Sequence, residues 1–210
     1  MTAAGRVCEW PGYIRSDFDF AEFPAGASVL DVGFGEGDQM RALLRRGCRS
    51  LGVEYDPALT RRGRAEGLTV VRASGDALPF RSGTFDGVIC KVVVPYTDEA
   101  RAIAEIARVL RPGGLARVSF HGLGYKLRYL LAGSDWKRRV YGARVIGNTL
   151  VYMLTGRRLP GFWGDTLYQS ERRLGRYYAR AGLERTITPS RRFLGAPVFI
   201  YHTLRKSGQA

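Results

Sequence analysis

The chain is poor in cysteine and histidine, and this scarcity excludes several kinds of chemistry. Its 210 residues include three cysteines and two histidines. Cys8, Cys48 and Cys90 lie far apart, with no spacing typical of metal ligands. The sequence therefore predicts neither a disulfide framework nor a metal site, and we expect a protein of the reducing cytoplasm.

Long hydrophobic runs are missing as well. The longest apolar stretch, "VIGNTLVYML" at 145–154, is far shorter than the roughly 20 residues that span a bilayer. The N-terminal "MTAAGRVCEWPGYIRSD" contains no uninterrupted apolar core, so we expect no secretory signal. With 45% hydrophobic and 25% charged residues, the composition is that of one globular domain.

Acidic residues are scarce in the C-terminal part of the chain. Residues 1–120 contain 16 Lys or Arg and 15 Asp or Glu, whereas residues 121–210 contain 17 and 4. Such one-sided charge favours an anionic partner, namely a phosphorylated small molecule, nucleic acid or an acidic membrane surface. Because 29 of the 33 basic residues are arginine, a compositional bias towards arginine is an alternative explanation.

Strands are predicted to alternate with helices over residues 27–120. The predicted strands are "ASVLDV", "SLGVEY", "LTVVRA", "FDGVIC" and "LARVSF". The helix after the second strand begins with Asp56 as its cap and Pro57 in its first turn. Thr97 is the predicted cap of "TDEARAIAEIARVL", and "RPGG" is expected to end that helix. This alternation predicts a parallel sheet with helices on both faces.

The pattern changes after Phe120. A helix is predicted from Tyr125 to Arg158, with one apolar face formed by Ala143, Ile146, Gly147, Leu150, Val151 and Leu154. Ser170 then caps "ERRLGRYYARAG", and "LERTITP" and "PVFIYHTL" are two closing strands. We divide the single domain into an N-terminal arm (1–26), a core (27–120), a basic helical cover (121–168) and a last helix with a closing strand pair (169–210).

Three alternating glycines occur in "VLDVGFGEGD", directly after the first strand. Gly33, Gly35 and Gly37 allow a tight turn and a close approach of the backbone to a ligand, because no Cβ intervenes. Ligand crevices of parallel sheets lie beyond the carboxyl ends of the strands. The loop departs from the dinucleotide pattern G-x-G-x-x-G at Asp38, and a purely structural turn is the alternative interpretation.

Acidic residues follow the next two strands. Glu54 ends strand two, where a carboxylate can accept hydrogen bonds from a ribose diol, although it could be a solvated strand end. Asp76-Ala77 follows strand three, where a carboxylate and an amide can bind an adenine edge, although Asp76 could cap a helix. Their occurrence at successive strand ends indicates a nucleoside-binding crevice.

Four motifs in order, "VLDVGFGEG", "GVEYDPAL", "GDALPFRSGTFDGVIC" and "EIARVLRPGG", resemble a class I S-adenosylmethionine-dependent methyltransferase. The similarity is to the ubiquinone/menaquinone-methyltransferase-like (methyltransferase type 11) group, and it covers about residues 27–120. It implies an α/β, three-layer Rossmann-like fold. Its seven-stranded, mostly parallel sheet has an antiparallel last strand, and a helical substrate cover follows strand five. It also implies S-adenosylmethionine as the cofactor.

The resemblance assigns cofactor contacts residue by residue. The amino-acid end of the cofactor would lie on Asp31, Gly33, Phe34, Gly35 and Gly37. Glu54 would hold the ribose hydroxyls, Tyr55 would lie beside the adenine, and Asp76-Ala77 would bind the adenine edge. Cys90 or Lys91 would contact the methionine portion through the backbone. The group often has a "leu-glu-his" type sequence after strand four; this chain has "VVVPYTDE", which places Tyr96 near the transferred methyl.

Methyl transfer needs a base only when the acceptor is a hydroxyl or a protonated amine. His121, at the end of strand five, is the preferred candidate base, with a packing or capping histidine as the alternative. Asp165 is the second candidate, and Tyr96 completes the predicted catalytic set. His202 lies in the last strand and is predicted to be structural.

The cover is predicted to bind the acceptor. Tyr96, His121, Arg128 and Arg144 are the candidate substrate residues, since arginine binds carboxylate and phosphate bidentately. Arg138, Arg139, Arg157 and Arg158 belong to the same basic set, although most of these cations are expected to form a solvated face. Tyr13 and Arg15 could close over the cofactor, and an ordinary N-terminal arm is the alternative interpretation.

Three functions follow from these patterns. The first is transfer of a methyl group to O or N of a small anionic metabolite. The second is RNA methylation, and the third is methylation of a lipid-linked acceptor at an acidic membrane surface, to which the protein would be peripheral. A cofactor-binding protein without transferase activity is a further alternative. The sequence does not indicate an oligomeric state.

Overall fold

The computed structural model describes residues 18–208, and its centre is a seven-stranded sheet. The strands are β1 (Ser28–Val32), β2 (Arg49–Glu54), β3 (Val70–Arg72), β4 (Phe85–Lys91), β5 (Leu110–His121), β6 (Leu183–Thr188) and β9 (Phe199–Lys206), in the order β3-β2-β1-β4-β5-β9-β6. β9 runs antiparallel to both of its neighbours, and the other pairings are parallel. The predicted architecture is confirmed.

Six α-helices accompany the sheet within the described range. They are α1 (Asp38–Arg45), α2 (Pro57–Ala65), α3 (Glu99–Val109), α4 (Leu123–Ala132), α5 (Trp136–Thr155) and α6 (Glu171–Arg180). Tyr13, Arg15 and most of the predicted N-terminal arm lie outside the described residues.

The core forms two layers, one on each face of the sheet. Leu30 of β1 and Val88 of β4 pack in the layer that contains Ile106 of α3. Their strand neighbours Val29 and Ile89 point to the opposite face and pack in the second layer. Successive side chains of a strand alternate between faces, so short apolar runs fill both layers.

Side-chain caps fix the starts of the helices. The Asp56 carboxylate accepts hydrogen bonds from the amides of Ala58 and Leu59, and Ser170 caps α6, both as predicted. The predicted cap of α3, Thr97, is wrong. Its hydroxyl donates to the carbonyl of Val94 at 3.0 Å, because Val94–Tyr96 forms a 3-10 turn. The next residue, Asp98, caps α3 instead.

β5 begins five residues earlier than predicted, at Leu110, so "RPGG" belongs to the strand. The pairing register shifts there, because Phe85 lies opposite Leu110 whereas Gly87 lies opposite Leu115. A β-bulge of this kind accommodates the extra residues without ending the strand.

The predicted helix 125–158 is two helices, separated at Gly133–Asp135, where Asp135 caps α5. The predicted apolar face of α5 lies mainly on the surface of the protein. Ala143, Gly147, Leu150 and Leu154 are exposed, and the buried face comprises Gly142, Arg144, Val145, Asn148 and Thr149. Hydrogen bonds explain the reversal, since the Asn148 amide donates to the carbonyl of Thr166 and the Thr149 hydroxyl accepts from the amide of Tyr168.

A two-stranded hairpin that the sequence did not predict lies against the start of α4. Its strands are β7 (Arg192–Phe193) and β8 (Ala196–Pro197). A Cβ at Gly122 would lie 2.3 Å from the carbonyl oxygen of Pro197, so only glycine permits this approach. Within residues 18–208, no helix is both long enough and apolar enough to cross a membrane.

Candidate functional site

The glycine loop lies at the carboxyl end of β1, in the left-handed backbone region. Gly33, Gly35 and Gly37 have φ values of 71°, 54° and 82°. A Cβ at Gly33 would lie 2.2 Å from Cγ2 of Val93, whereas a Cβ at Gly35 would meet no atom within 4 Å. Gly33 is therefore required by packing, and the open space over Gly35 leaves a bare backbone surface on which a ligand can lie.

Phe34 packs beneath this loop. It is buried with Met40 and Val70, and a Cβ at Gly52 or Gly63 would approach its ring within 3.0 Å. Its side chain therefore holds the loop against β2 and α2. Any contribution of Phe34 to a ligand comes through its backbone, because the ring points into the core.

Asp31 is a buried carboxylate without a complete set of partners. It is 2% exposed, and its Oδ2 has no hydrogen-bond partner within the described chain. Burial raises its pKa to about 7, with Lys91 opposing the shift and Glu54 adding to it. An unpaired buried carboxylate at a strand end is a site for a cationic donor, such as the α-ammonium group of an amino acid.

Glu54 connects the glycine loop to the end of β2. Its Oε2 accepts from the amide of Gly35 at 3.2 Å, and its Oε1 accepts from Tyr55 and Asp56 at 2.8 and 3.1 Å. A carboxylate offers about four acceptor positions, so capacity for a further donor such as a ribose hydroxyl remains. The Tyr55 side chain is exposed beside it.

Asp76 and Ala77 form a tight turn after β3. The Asp76 carboxylate accepts from the Ser74 hydroxyl and from the Asp98 amide. Although partial burial acts in the opposite direction, these hydrogen bonds lower its pKa. The Ala77 amide donates to the carbonyl of Ser74 at 3.2 Å. Both residues lie at the predicted edge of the crevice, and their contact with adenine stays a prediction.

The backbone of this crevice is strained at one position, directly after β4. Cys90 is buried, which raises the pKa of its thiol to about 12 and makes it a poor nucleophile. Lys91 is exposed, and the next residue, Val92, has φ 60°, in the left-handed region. A β-branched residue there costs about 1–3 kcal/mol, and such strain concentrates at functional sites. No pattern in the sequence predicts this strain.

A polar cluster faces these strand ends. It consists of Tyr96, His121, Lys126, Tyr141, Arg144 and Asp165. Lys126 of α4 has no exposed surface, and its Nζ donates to Oη of Tyr141 of α5 at 3.0 Å. Burial and then the nearby Arg144 charge lower the pKa of Lys126 to about 7. Burial raises the pKa of Tyr141, and Tyr96 adds to that effect. The three predicted catalytic residues, Tyr96, His121 and Asp165, thus share one cluster.

His121 is a constrained member of this cluster. Its ring stacks on Tyr125 with 4.0 Å between centroids, and the ring centroid of Phe199 lies 5.5 Å away. Burial and then the Lys126 charge lower its pKa to about 3. The imidazole is therefore neutral near pH 7 but only weakly basic. Its assignment as general base stays a prediction.

Arg144 is the predicted substrate residue with the clearest unused binding capacity. Its side chain is 2% exposed and pairs with Asp165 at 3.0 Å. The ring of Phe162 lies 4.0 Å from its guanidinium carbon. Its Nε and Nη1 are buried without a partner in the described chain. Arg128 lies half-buried on α4.

The other predicted cations have different surroundings. Arg158 donates to the carbonyls of Pro95 and Thr97, so it holds the loop after α5 against the segment after β4. Arg138 pairs with Asp135 at the start of α5.

Sequence reasoning missed Lys126 and Tyr141. Both are polar residues in a predicted helix near the sheet edge, and that position was the signal that could have indicated them. Among residues 18–208 no group of three His, Cys, Asp or Glu side chains could hold a metal ion.

Residues 30–118, from β1 into β5, match the family model described as "Methyltransferase domain". Similar proteins include uncharacterized methyltransferases of Mycobacterium sp. (strain JLS), 44% identical over 100 residues, and of Mycobacterium avium (strain 104), 40% identical over 104 residues. These matches cover 46% and 47% of this chain but only 40% and 41% of the relatives. The chain thus matches about two fifths of their length.

Solved structures share the fold. A methyltransferase of Haloferax volcanii, in complex with the Trm112 methyltransferase activator, aligns with a TM-score of 0.65 and 18% identity, over 90% of this chain and 86% of that one. A methyltransferase of Burkholderia thailandensis, solved with 1,6-didemethyltoxoflavin and S-adenosylhomocysteine, aligns with a TM-score of 0.55 and 20% identity, over 87% and 72%.

The sheet order and the glycine loop together define a Rossmann-like α/β domain. Residues 30–118 match a methyltransferase domain, and the solved structures that share this fold include methyltransferases whose cofactor is S-adenosylmethionine. The residues fit that cofactor, because the orphaned Asp31 carboxylate can meet its α-ammonium group and Gly35 leaves the crevice open. The predicted ubiquinone-like subgroup stays an expectation.

Proposed function

We propose that the protein transfers a methyl group from S-adenosylmethionine to an oxygen or nitrogen of a small anionic acceptor. The observation that supports this best is Arg144, a buried guanidinium with two unpaired nitrogens near the strand ends. Leaving such donors unpaired costs free energy, and a carboxylate or phosphate of the acceptor would satisfy them. The enclosed setting of the guanidinium favours a small acceptor over a polymer.

Bound S-adenosylmethionine supplies a methyl group already activated on its sulfonium. The residues of this chain bind and align the reactants, which is a large part of catalysis in such a transfer. Asp31 and the glycine loop hold the amino-acid end, and Glu54 holds the ribose. Arg144 orients the acceptor anion towards Tyr96, and the aromatic rings of Phe162 and Tyr141 exclude water from its guanidinium.

A proton acceptor is needed for a hydroxyl or a protonated amine. We assign this role to the Lys126–Tyr141 pair, in which Tyr141 passes the proton to Lys126 across their 3.0 Å hydrogen bond. A pKa of about 7 leaves much of Lys126 neutral at physiological pH. His121, whose pKa is about 3, is a weaker proton acceptor.

We expect Arg144→Met to lower the transfer rate by about 10- to 100-fold, since hydrogen bonds to charged groups contribute about 1.5–3 kcal/mol. The rate is measured with labelled S-adenosylmethionine and the anionic small-molecule fraction of a cell extract, at subsaturating acceptor. Arg157→Met, which removes an exposed arginine just beyond α5, is the matched control. An equal rate in both variants would contradict the assignment of Arg144, and labelled RNA or lipid in place of a small molecule would favour the alternative acceptors.

Binding of the cofactor is tested without any acceptor. We expect the affinity for S-adenosylmethionine to rise with pH up to about pH 7, because Asp31 attracts the α-ammonium group only when its carboxylate is ionised. In Asp31→Asn this rise should disappear, and the affinity at pH 8 should fall by about 10- to 100-fold. Calorimetric titrations between about pH 5.5 and 8.5 measure both. Asp38→Asn, at an exposed position of α1, should behave as the wild type.

A further inference from the structure

A second basic site lies between the C-terminal end of α5 and α6. This α5–α6 cleft has a volume of about 270 Å³. It is lined chiefly by Tyr152, Met153, Arg173, Arg176, Tyr177 and Arg180. In the part of the chain that the structure describes, no acidic side chain lines the cleft, so three guanidinium groups dominate its charge.

Arg173, at the base of the cleft, has an unsatisfied donor. Its Nε donates to Glu99 at 2.9 Å, and its Nη2 donates to the carbonyl of Tyr168. Its Nη1 is buried without a partner in the described chain, and the residue as a whole is only 4% exposed. Glu99 therefore neutralises the charge but leaves one donor unused. An anion in the cleft would complete the hydrogen bonding of Arg173.

Arg176 and Arg180 extend the same face of α6. They follow Arg173 by three and seven positions, a spacing that places the three side chains on one side of a helix. Both are exposed, and neither forms an ion pair with any side chain in the range 18–208. A phosphate group has several charged oxygens. Two unpaired cations and a buried unsatisfied donor can bind these oxygens together.

The α5–α6 cleft is separate from the acceptor site. Met153 follows Arg144 by nine residues on α5, which corresponds to about 14 Å along the helix axis. The lining of the cleft, within the described chain, contains no member of the polar cluster around Arg144. A molecule bound there would not touch the transferred methyl.

We propose that the α5–α6 cleft is a second anion site, which binds a phosphate-bearing group. A soluble phosphate compound and a phospholipid headgroup present the same chemistry. A lipid source is compatible with the exposed apolar side chains of Leu150, Met153 and Leu154 beside the cleft, of which Leu154 is 87% exposed. The proposal does not depend on methyl transfer.

The test uses two probes. One is pyrophosphate in calorimetric titrations, and the other is cosedimentation with vesicles of neutral lipid that contain about 30% anionic phospholipid. The variant Arg176→Ala/Arg180→Ala removes the two exposed cations of the cleft. Arg45→Ala/Arg172→Ala removes two exposed arginines outside its lining and is the matched control. Both pairs are also combined with Arg144→Met, so that binding at the acceptor site is separated from binding at the cleft.

We expect the cleft variant to lose at least about tenfold in affinity for one probe, while the control pair stays within about twofold of the wild type. Loss of pyrophosphate binding supports a soluble phosphate ligand, and loss of vesicle binding alone supports a lipid headgroup. The proposal is overturned if neither probe binds, or if both variants weaken binding equally, because charge alone would then explain the effect.

Discussion

Lys126→Met is expected to lower methyl transfer at pH 8 by about 10²- to 10⁴-fold, the usual contribution of a positioned proton acceptor. The side chains are similar in volume, so the buried position on α4 stays filled. What is lost is the nitrogen that accepts a proton from Tyr141 across 3.0 Å. The rate with labelled S-adenosylmethionine and the small-molecule fraction measures this loss.

The pH profile distinguishes a proton acceptor from a structural lysine. With a pKa of about 7, Lys126 is protonated below neutrality, so the wild-type rate should rise about tenfold per pH unit up to pH 7 and level off above it. Lys126→Met should have a flat profile. Tyr141→Phe, which removes the hydroxyl between Lys126 and the acceptor, should have the same low rate.

Stability gives a second measurement that needs no acceptor. Between pH 7 and the ordinary lysine pKa of 10.5, the unfolded chain holds a proton that folded Lys126 has released. The unfolded state then binds more protons, so this residue makes the free energy of unfolding rise with pH, by at most about 1.4 kcal/mol per unit. Denaturant titrations at about pH 7, 8 and 9 should show that the slope is smaller in Lys126→Met.

His121→Gln is the control for these measurements. Its pKa of about 3 lies below the range of the assay, so the substitution should leave the shape of the pH profile unchanged. A profile that flattens in His121→Gln and persists in Lys126→Met would return the role of base to His121. That result would also show that the environment of His121 changes when the acceptor binds.

The sheet and the glycine loop could be predicted because their signals are local. A buried strand, three glycines and an acidic strand end each depend on neighbouring residues only, and the left-handed φ values of Gly33, Gly35 and Gly37 follow from that pattern. The cap at Asp56 is equally local. In contrast, Thr97 competes with Asp98 as a cap, and the 3-10 turn before them decides between the two.

The cover could not be predicted in the same way, because tertiary hydrogen bonds override its hydrophobic pattern. Asn148 and Thr149 are buried since the 166–168 segment supplies partners for them, and this turns Leu150 and Leu154 to the surface. Lys126 is buried for a comparable reason, with Tyr141 as its partner. Such partners are far apart in sequence, and no periodicity reports them.

The buried ion pair of Glu99 and Arg173 carries the second large prediction. We expect Arg173→Met to reduce the free energy of unfolding by about 3–5 kcal/mol, because it leaves the Glu99 charge buried without its cation. Glu99 is 1% exposed, and its Oε2 lies 2.9 Å from Nε of Arg173. For a domain of this size the melting temperature should fall by about 6–20 °C. Thermal and urea unfolding without added phosphate measure the change.

The double variant Glu99→Gln/Arg173→Met shows whether the uncompensated charge is the cause. The neutral amide that replaces the Glu99 carboxylate would retain hydrogen bonds with Gln169 and Tyr177, so the double variant should recover at least half of the loss. Arg101→Met breaks an exposed pair with Asp98, in which the arginine side chain is 78% exposed, and should cost less than about 1 kcal/mol. The double variant could instead be as unstable as Arg173→Met alone. The destabilisation would then result from lost packing between α3 and α6, and not from the buried charge.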